Sequence, residues 1–330
     1  MSTKPAVSII TPVWNGLPFL KECLRSVLDQ NFQNWEMLIG DNGSTDGTSD
    51  YLAQQSDPRI QIYKHEFNRG ICGNLNFLFT KANAPIAYIL CADDYFYPGE
   101  LNHILEEWGA SNPNVAFITF SPDVGHSKLR RYTYNVLPKN IRPAESRLAF
   151  FLFGNFTGNL SNVSVKVSAV NDAGGFLEHL KTAGDFEMWC RLSKKNELVI
   201  SDRNVVFVRE HLRAATHYMT QKGEDYAPLI GIYEDLLNQL SSDYSRKELV
   251  SYLNTQITPQ YFRTGIKYAL AGRITFLKTV LKTKSSILWN SWKQFLICTP
   301  LSLSESIREN LGIRSAKNFI LQCKKRNGTL

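Results

Sequence analysis

Two adjacent carboxylates, Asp93 and Asp94, follow an apolar run at residues 86–90, with Cys91 and Ala92 between. Hard cations such as Mg²⁺ and Mn²⁺ prefer one or two carboxylates together with phosphate oxygens. The pair is therefore a candidate divalent-cation site for a phosphate-bearing ligand. An isolated Asp-Asp pair is more often a solvated acidic turn, so this interpretation depends on the residues around it.

Polar residues also follow two earlier apolar runs. Residues 7–12 lead into Trp14 and Asn15, and residues 36–40 lead into Asp41. Ligands of parallel α/β sheets bind beyond the carboxyl ends of the strands. We therefore expect these residues and the carboxylate pair to lie at one edge of a sheet, where a site would form.

The first 120 residues alternate short apolar runs with amphipathic stretches. This alternation predicts an α/β fold with a mostly parallel sheet and right-handed crossovers. Strands are predicted at 7–12, 36–40, 60–63, 86–90 and 115–120, and helices at 17–30, 48–55, 73–82 and 99–111. Further along, 159–167 has the alternation of a strand, 186–192 is typical of a helix, and the chain beyond residue 220 is predicted to be helical.

Positive charge is concentrated late in the chain. The net charge is +7, and residues 260–330 hold 13 of the 37 Lys and Arg but only two of the 30 Asp and Glu. Basic residues such as Lys267 and Lys282 are interleaved with apolar ones, and Trp289 and Trp292 follow. Such a segment suits an anionic membrane surface. A helical subdomain covering the rest of the chain, or a dimer contact, is the alternative. Nucleic acid is not expected, because no recognition motif accompanies the charge.

The cysteines and the start of the chain predict a cytoplasmic protein. The six cysteines form no CxxC pair and no metal-ligand spacing. The opening residues MSTKPAVSIITPV lack a signal-peptide pattern. The apolar stretch at 286–303 is interrupted by Lys293 and Pro300, so we expect it to lie on a surface rather than span a bilayer. The basic segment at 260–330 suggests, as a further possibility, that the protein attaches peripherally to the inner face of the cell membrane.

An ordered series of motifs runs through residues 6–215. It comprises residues 7–15, 36–48, 57–60, 68–70, 91–94, 175–176 and 184–192. With this series the chain resembles glycosyltransferase family 2, the inverting enzymes of the GT-A fold. The resemblance implies a Rossmann-like nucleotide-diphospho-sugar transferase fold, with a mostly parallel sheet flanked by helices and a C-terminal helical extension. It also implies transfer of a sugar from a nucleotide donor to an acceptor hydroxyl.

The resemblance implies roles for individual residues. Asp94 would bind a divalent cation, Mg²⁺ or Mn²⁺, acting as a Lewis acid on the diphosphate leaving group, and Asp93 would hold the ribose side. Asp41 would accept a hydrogen bond from an N–H of the base. Further contacts to the base, ribose and phosphates would come from Thr11, Pro12, Asn15 and Arg69. A UDP-sugar is the favoured donor, with guanosine and thymidine donors as alternatives.

The acceptor hydroxyl must lose a proton as it attacks, and a positioned carboxylate can take it. Asp185 stands at the position of the family's base, with Glu187 as the fallback; a helix N-cap is the alternative role for Asp185. Arg209-Glu210-His211 resembles the Arg-x-His element that follows the base helix in relatives. By this resemblance His211 would reach the metal or diphosphate, and Arg209 would pair with phosphate. A purely structural histidine is the alternative.

Three positions depart from the family pattern. Cys91 replaces an Asp two positions before the carboxylate pair, and we expect this thiol, a poor Mg²⁺ ligand, to face the sheet interior. Gly184 replaces the Glu before the base, and Trp14 replaces a Tyr but remains an aromatic platform. Cys91 and Gly184 support the alternative of a catalytically silent module that binds nucleotide sugars or membranes. A nucleotidyltransferase would need a Gly-rich basic loop, which residues 11–20 lack.

The expected organisation has two parts. Residues 1–220 would form the catalytic domain, with a nucleotide-sugar-binding part at 1–120 and an acceptor-binding part at 121–220. Residues 221–330 would form a basic, amphipathic helical region. The expected partners are a nucleotide-sugar donor and a glycan or lipid-linked glycan acceptor, in the synthesis of a cell-surface polysaccharide or glycolipid.

Overall fold

Strands and helices alternate along the first half of the chain, and helices follow. The computed structural model describes residues 4–120, 127–211, 226–256 and 305–327, with a few isolated residues between 266 and 278. The strands are β1 (Val7–Val13), β2 (Trp35–Asp41), β3 (Ile60–Lys64), β4 (Ile86–Ile89), β5 (Tyr95–Phe96), β6 (Val115–Phe120), β7 (Asn140–Ile141), β8 (Val163–Lys166), β9 (Glu197–Ser201) and β10 (Val206–Phe207). The helices are α1 (Leu17–Leu28), α2 (Thr48–Leu52), α3 (Gly70–Phe79), α4 (Glu100–Ala110), α5 (Lys128–Val136), α6 (Pro143–Phe153), α7 (Val167–Asp172), α8 (Gly184–Leu192), α9 (Tyr226–Leu240), α10 (Arg246–Gln256) and α11 (Glu305–Asn327).

The main sheet of the described residues has eight strands in the order β3-β2-β1-β4-β8-β6-β9-β7. Four pairs of neighbouring strands are parallel: β3 with β2, β2 with β1, β1 with β4, and β6 with β9. Strand β8 runs antiparallel to both β4 and β6, and β7 runs antiparallel to β9. The predicted mostly parallel α/β sheet is therefore confirmed, and the predicted strands of the first 120 residues are present to within one residue.

The central strands and α1 form the core beneath the sheet edge. Every residue of β2 is buried, and β1 is buried except for half-buried Pro12. Strands buried on both faces are typical of parallel sheets covered by helices. Helix α1 has proline in its first turn and buries one stripe, made of Leu20, Cys23, Leu24 and Val27. The spacing of this stripe is the reason that the sequence predicted the helix correctly.

A buried carboxylate, Glu36, ties together the N-terminal ends of the first strands. It accepts hydrogen bonds from Ser8 Oγ (2.6 Å), the Asn83 amide (2.7 Å) and Asn83 Nδ2 (2.8 Å). Gln61 Nε2 donates to its second oxygen at 3.2 Å. Because these residues lie at the starts of β1, β2, β3 and β4, the network fixes the edge opposite the carboxyl ends of the strands.

A two-stranded antiparallel ribbon pairs β5 with β10. In this ribbon Phe207 lies opposite Tyr95, and their rings stack with centroids 4.9 Å apart. The pairing brings the segment after β10 to the turn that follows β4, although more than 100 residues separate them along the chain.

The described residues divide into two units. The α/β unit holds both sheets and comprises 4–120, 138–143 and 157–210; the helical unit comprises 127–137, 144–156, 211, 226–256 and 305–327. The units thus divide the chain differently from the functional division expected at residue 220, because α5 and α6 belong with the late helices. The expected functional division stays a prediction.

The helical unit is packed around aromatic side chains. Tyr252 of α10 donates through its hydroxyl to the Leu152 carbonyl of α6 at 2.7 Å, and its ring meets Phe319 of α11 at 5.7 Å. Glu309 of α11 accepts a hydrogen bond from Ser127 Oγ at 2.7 Å, beside the start of α5. The helicity predicted beyond residue 220 is therefore confirmed for α9, α10 and α11.

The basic, tryptophan-containing segment lies largely outside the described residues, among them Lys267, Lys282, Trp289 and Trp292. Within the parts of the chain that the structure describes, no helix combines the length and apolarity needed to cross a bilayer.

Candidate functional site

Hydrogen bonds join the loops that follow β1 and β2. The Asn15 amide donates to Ser44 Oγ at 2.9 Å, and Asn15 Oδ1 accepts from the Thr45 amide at 2.8 Å. The Gly16 amide donates to Thr48 Oγ1 at 3.1 Å. Asn15 adopts a left-handed backbone conformation with φ +51°, which asparagine tolerates better than most residues. Asn15 therefore fixes the two loops relative to one another.

The other candidate residues of the β1 loop differ in exposure. Trp14 is 58% exposed, and Pro12 is half-buried. Thr11 is fully buried, and its Oγ1 has no hydrogen-bond partner among the described residues. A ligand at this edge can reach Trp14 and Pro12 directly, whereas a contact through Thr11 requires its surroundings to rearrange.

Asp41, at the end of β2, holds its own turn. Its Oδ1 accepts from the Ser44 amide at 3.0 Å, and its Oδ2 accepts from Ser49 Oγ. The side chain is buried, although each carboxylate oxygen retains a second lone pair. Asp41 thus shapes the loop, and the predicted bond from a base N–H remains a proposal.

Asn42 is a functional candidate that the sequence analysis missed. Its Oδ1 accepts from the Arg69 amide at 2.9 Å, and its Nδ2 donates to Asn68 Oδ1 (2.8 Å) and the Gly70 carbonyl (3.2 Å). Asn42 is buried, whereas Arg69 is exposed. The asparagine therefore positions the backbone from which the predicted ligand-binding Arg69 projects. The sequence feature that could have identified Asn42 is its place in the polar run that follows β2.

A second asparagine locks α3 against β2. Asn74 Nδ2 donates to the Gly40 carbonyl at 2.7 Å, and its Oδ1 lies 3.1 Å from His65 Nε2. A Cβ at Gly40 would lie only 2.0 Å from Asn74 Oδ1. Position 40 therefore requires glycine, because any side chain would displace the asparagine that holds α3.

The carboxylate pair after β4 is partly enclosed. Asp94 is 1% exposed; its Oδ1 accepts from the Arg209 amide at 2.8 Å, and its Oδ2 has no hydrogen-bond partner among the described residues. Burial, and then the negative charge of Asp93, raise the pKa of Asp94 to about 7, and the Ser161 hydroxyl and the amide and charge of Arg209 oppose this rise. A buried carboxylate oxygen without a donor fits a cation, which would supply the missing positive charge.

Cys91 lies with this pair. Its Sγ and one oxygen from each of Asp93 and Asp94 are within 4.8 Å of one another, and Cys91 is half-buried. The expectation that Cys91 faces the sheet interior is therefore wrong. Strand β4 ends at Ile89, so strand alternation no longer sets the direction of residue 91. Burial and the charges of the two carboxylates raise the pKa of the Cys91 thiol well above its usual range.

Arg209 braces the carboxylate pair from the end of β10. Its Nε donates to the Asp93 carbonyl at 3.0 Å, and its guanidinium forms an ion pair with Glu22 of α1. Aromatic rings surround the guanidinium at 5.1–5.8 Å, from Phe19, Tyr95 and Phe207. The guanidinium carries five N–H donors, so the predicted phosphate contact would share it with Glu22.

His211 ends the described stretch that begins at residue 127, and it is half-buried. It belongs to the helical unit rather than the α/β unit. Its predicted approach to the metal stays a prediction.

Asp185 lies in the first turn of α8 and is half-buried. The N-cap of this helix is Ala183, so the alternative role of Asp185 as the N-cap is excluded. Steric crowding explains why the preceding residue, Gly184, has no side chain, because a Cβ there would lie 2.7 Å from Cys72 Sγ. Packing against Cys72 of α3 therefore accounts for a glycine at this position.

Glu187, the fallback base, is held in an ion pair. Its two oxygens accept from Arg191 Nε and Nη2, both at 2.8 Å. Arg191 also donates to the Ala173 carbonyl and, at 2.8 Å, to the Gly175 carbonyl. Glu187 thus orients an arginine that fastens the loop before α8, which leaves Asp185 as the candidate base.

Comparison with known families finds a match for the first half of the chain. Residues 8–168 match the model of glycosyl transferase family 2. The matched segment, which contains Asp41, Asp93 and Asp94, is similar to glycosyl transferase family 2 and makes up just under half of the chain. Asp185 and Arg209 lie beyond the matched residues.

Curated relatives carry glycosyltransferase names. The chain is 38% identical over 105 residues to TuaG of Bacillus subtilis (strain 168), provisionally named a teichuronic acid biosynthesis glycosyltransferase; the match covers 31% of this chain and 42% of TuaG. It is 24% identical over 291 residues to an uncharacterized glycosyltransferase of Rickettsia felis, covering 86% of this chain and 47% of that protein. The chain thus spans less than half the length of these relatives.

Two solved structures share the fold. Mannosyltransferase PcManGT from Pyrobaculum calidifontis, in complex with GDP-Man and Mn²⁺, has a TM-score of 0.57 at 17% identity, covering 97% of this chain and 88% of that one. S. aureus TarS 1-349, in complex with UDP-GlcNAc, has a TM-score of 0.56 at 16% identity, covering 96% and 92%. The predicted GT-A fold is confirmed.

Proposed function

We propose that this chain is a metal-dependent, inverting glycosyltransferase that moves a sugar from a nucleotide-sugar donor to an acceptor hydroxyl. The observation that carries the proposal is buried Asp94, whose Oδ2 lacks a hydrogen-bond donor among the described residues. It lies beside Asp93 at the sheet edge where the β1 and β2 loops are joined. The match to the family model and the name of TuaG support a role in the synthesis of a cell-surface polysaccharide or glycolipid.

The carboxylates of the site would have separate roles in the transfer reaction. Asp94 would hold a divalent cation, with Asp93 toward the ribose; the bound cation would stabilise the charge that grows on the diphosphate leaving group. Asp185 would accept the proton of the attacking hydroxyl, because it is a half-buried carboxylate in the first turn of α8, far along the chain from the cation carboxylates. Attack from the side opposite the leaving group inverts the anomeric centre.

The nucleotide would lie along the joined loops. Pro12, Asn15 and Asp41 would line the base and ribose, and exposed Arg69 would approach the base or phosphates. A UDP-sugar is the favoured donor, supported by the UDP-GlcNAc bound to TarS. A GDP-sugar is the alternative, since PcManGT binds GDP-Man with Mn²⁺.

Isothermal titration calorimetry tests the donor and the cation together. UDP, GDP and dTDP are titrated with Mn²⁺ or with EDTA into the wild type, Asp94→Ala and Asp202→Ala. Asp202 is a matched control, because its carboxylate is largely exposed and pairs with Lys139. We expect one nucleotide to bind only with Mn²⁺, and Asp94→Ala alone to lose that binding. Failure of every nucleotide to bind the folded wild type would contradict the proposal.

The candidate base is tested by turnover. With the donor selected by calorimetry and a glycan acceptor, Asp185→Asn is expected to lower kcat by about 10²–10⁴-fold while donor affinity is kept. Release of the nucleotide diphosphate provides the readout. Retention of wild-type kcat by Asp185→Asn would exclude it as the base.

We also propose that the chain attaches peripherally to an anionic membrane surface, where a lipid-linked glycan would be the acceptor. The support is the excess of basic over acidic residues at 260–330. Co-sedimentation with vesicles is expected to require anionic lipid and to weaken as salt rises. Absence of binding to vesicles with and without anionic lipid would contradict this attachment.

A further inference from the structure

The thiol of Cys91 occupies an unusual place for a cysteine of the sheet. Cys91 follows β4 and is half-buried, and its amide is fixed by Ser161 Oγ at 2.9 Å. Its Sγ lies within 4.8 Å of carboxylate oxygens of both Asp93 and Asp94. The cysteine therefore shares the space in which the proposed cation would sit.

The geometry suits a single ion with three protein ligands. Metal–sulfur bonds are about 2.3 Å and metal–oxygen bonds about 2.0–2.2 Å, so ligands of one ion lie roughly 3–4.5 Å apart. The three ligand atoms need only small side-chain movements to reach such distances. A second, independent observation points to a ligand here, because Asp94 is 1% exposed and its Oδ2 has no hydrogen-bond partner among the described residues.

Ligand chemistry determines which cation such a set prefers. Carboxylates suit Mg²⁺ and Mn²⁺, whereas a thiolate favours softer ions such as Zn²⁺. We propose that Cys91 is a third ligand of the cation site and makes the site prefer thiophilic divalent ions over Mg²⁺, in the order Zn²⁺, Co²⁺, Mn²⁺ and Mg²⁺. This inference rests on the proposed function, because it names the selectivity of the same cation site.

The binding step has a defined proton balance. Coordination replaces the S–H bond of Cys91 by a bond from the thiolate to the cation, and the proton is released to solvent. No oxidant or reductant takes part. Asn159 Oδ1, 3.9 Å from Cys91 Sγ, is a hydrogen-bond partner of the thiol that ion binding would displace.

Cobalt provides a readout that is independent of turnover. Full-length protein, kept reduced with a phosphine, is titrated with Co²⁺ and followed through the near-ultraviolet band of thiolate-to-cobalt charge transfer. The wild type is expected to show this band, and Cys91→Ser is expected to lose it. Cys23→Ala is the matched control, because Cys23 is buried nearby but is not one of the three grouped ligands, and it should keep the band.

Competition measurements give the selectivity. Loss of an outer-shell partner already costs a metal site about 10–100-fold in affinity, so Cys91→Ser should lower the preference for Co²⁺ over Mg²⁺ by at least about tenfold. Cys91→Asp supplies a third carboxylate and should shift the preference toward Mg²⁺. This second variant keeps the test decisive if Cys91→Ser fails to fold.

The outcomes separate the inference from the proposed function. If Mn²⁺ binds the wild type and Cys91→Ser equally and Co²⁺ gives no thiolate band, the inference is overturned while the cation site stands. If no divalent ion binds the wild type, the cation site falls and the inference with it.

Discussion

Replacing Asn42 is the most direct test of how the protein positions Arg69, the arginine proposed to contact the nucleotide. Its buried side chain makes three hydrogen bonds, one to the Arg69 amide and two to the neighbouring turn at Asn68 and Gly70. Each such bond contributes about 1 kcal/mol net, and a buried polar group left without a partner costs about 1–3 kcal/mol. Asn42→Ala is therefore expected to lower the free energy of unfolding by about 2–4 kcal/mol.

The same substitution should weaken nucleotide binding, because Arg69 would no longer project from a fixed turn. We expect at least about a tenfold loss of affinity, equivalent to 1.4 kcal/mol. Urea denaturation and calorimetry, at temperatures where the variant is folded, measure the two effects separately. Asn34→Ala is the control, because Asn34 is exposed and its side chain donates one long hydrogen bond of 3.4 Å. Unchanged stability, or lost stability with unchanged nucleotide affinity, would refute the positioning role.

Three further outcomes are expected. Gly184→Ala should destabilise the protein by about 1–3 kcal/mol, and less in a Cys72→Ala background, which a double-mutant cycle by urea denaturation detects; equal costs in both backgrounds would exclude the clash. Glu187→Gln should reduce stability but leave kcat near wild type, since this carboxylate is engaged by arginine; a large loss of kcat would restore it as a base. The hydrogen bond from Arg59 lowers the pKa of Asp57, so the pair stabilises the fold above the unfolded pKa and that stability is lost as pH falls through the folded pKa. Asp57→Asn should therefore cost about 1 kcal/mol at neutral pH, and by urea denaturation this cost should shrink as the pH falls through the lowered pKa of the folded state; a cost independent of pH would show that charge is not involved.

The fold could be predicted where local pattern and burial agree. The first strands are continuous apolar runs because helices cover the sheet, and α1 shows its buried stripe at helical spacing. Strand β8 was anticipated only as part of the segment 159–167, and its position between β4 and β6 was not predicted. That position depends on antiparallel pairing with residues 76–80 positions away in β4 and 44–48 positions away in β6, which no local pattern encodes.

The helices of the middle segment were missed for a different reason. Helix α6 is apolar on several faces, because Leu148 to Leu152 are all buried in the helical unit. A helix buried on all sides lacks the amphipathic period that sequence analysis uses. Helix α5 has the opposite pattern, since most of its residues are exposed and Thr133 alone among its described side chains is buried.

The sequence could predict which residues of the candidate site follow the strands, but it could not predict the side-chain contacts that join them. Asp41 and the carboxylate pair follow from the rule that ligands bind at the carboxyl ends of parallel strands. The ion pair of Arg209 with Glu22 joins residues 187 apart, and the orientation of Cys91 depends on where β4 ends. Such contacts are decided by tertiary packing, so residue type alone could not indicate them.

The two sides of the site differ in how far the protein satisfies its buried carboxylate and amide side chains. On the β1 and β2 side, Asn15, Asp41 and Asn42 are hydrogen-bonded within the protein, so these loops are organised before a nucleotide binds and lose little entropy on binding. On the β4 side, Asp94 keeps a buried oxygen without a donor among the described residues, which destabilises the fold until a cation is bound. A cation at 100 times its Kd would add about 2.7 kcal/mol to the free energy of unfolding. The cation proposed to stabilise the leaving group would therefore also stabilise the fold, and loading of the site and stability of the α/β unit would rise together.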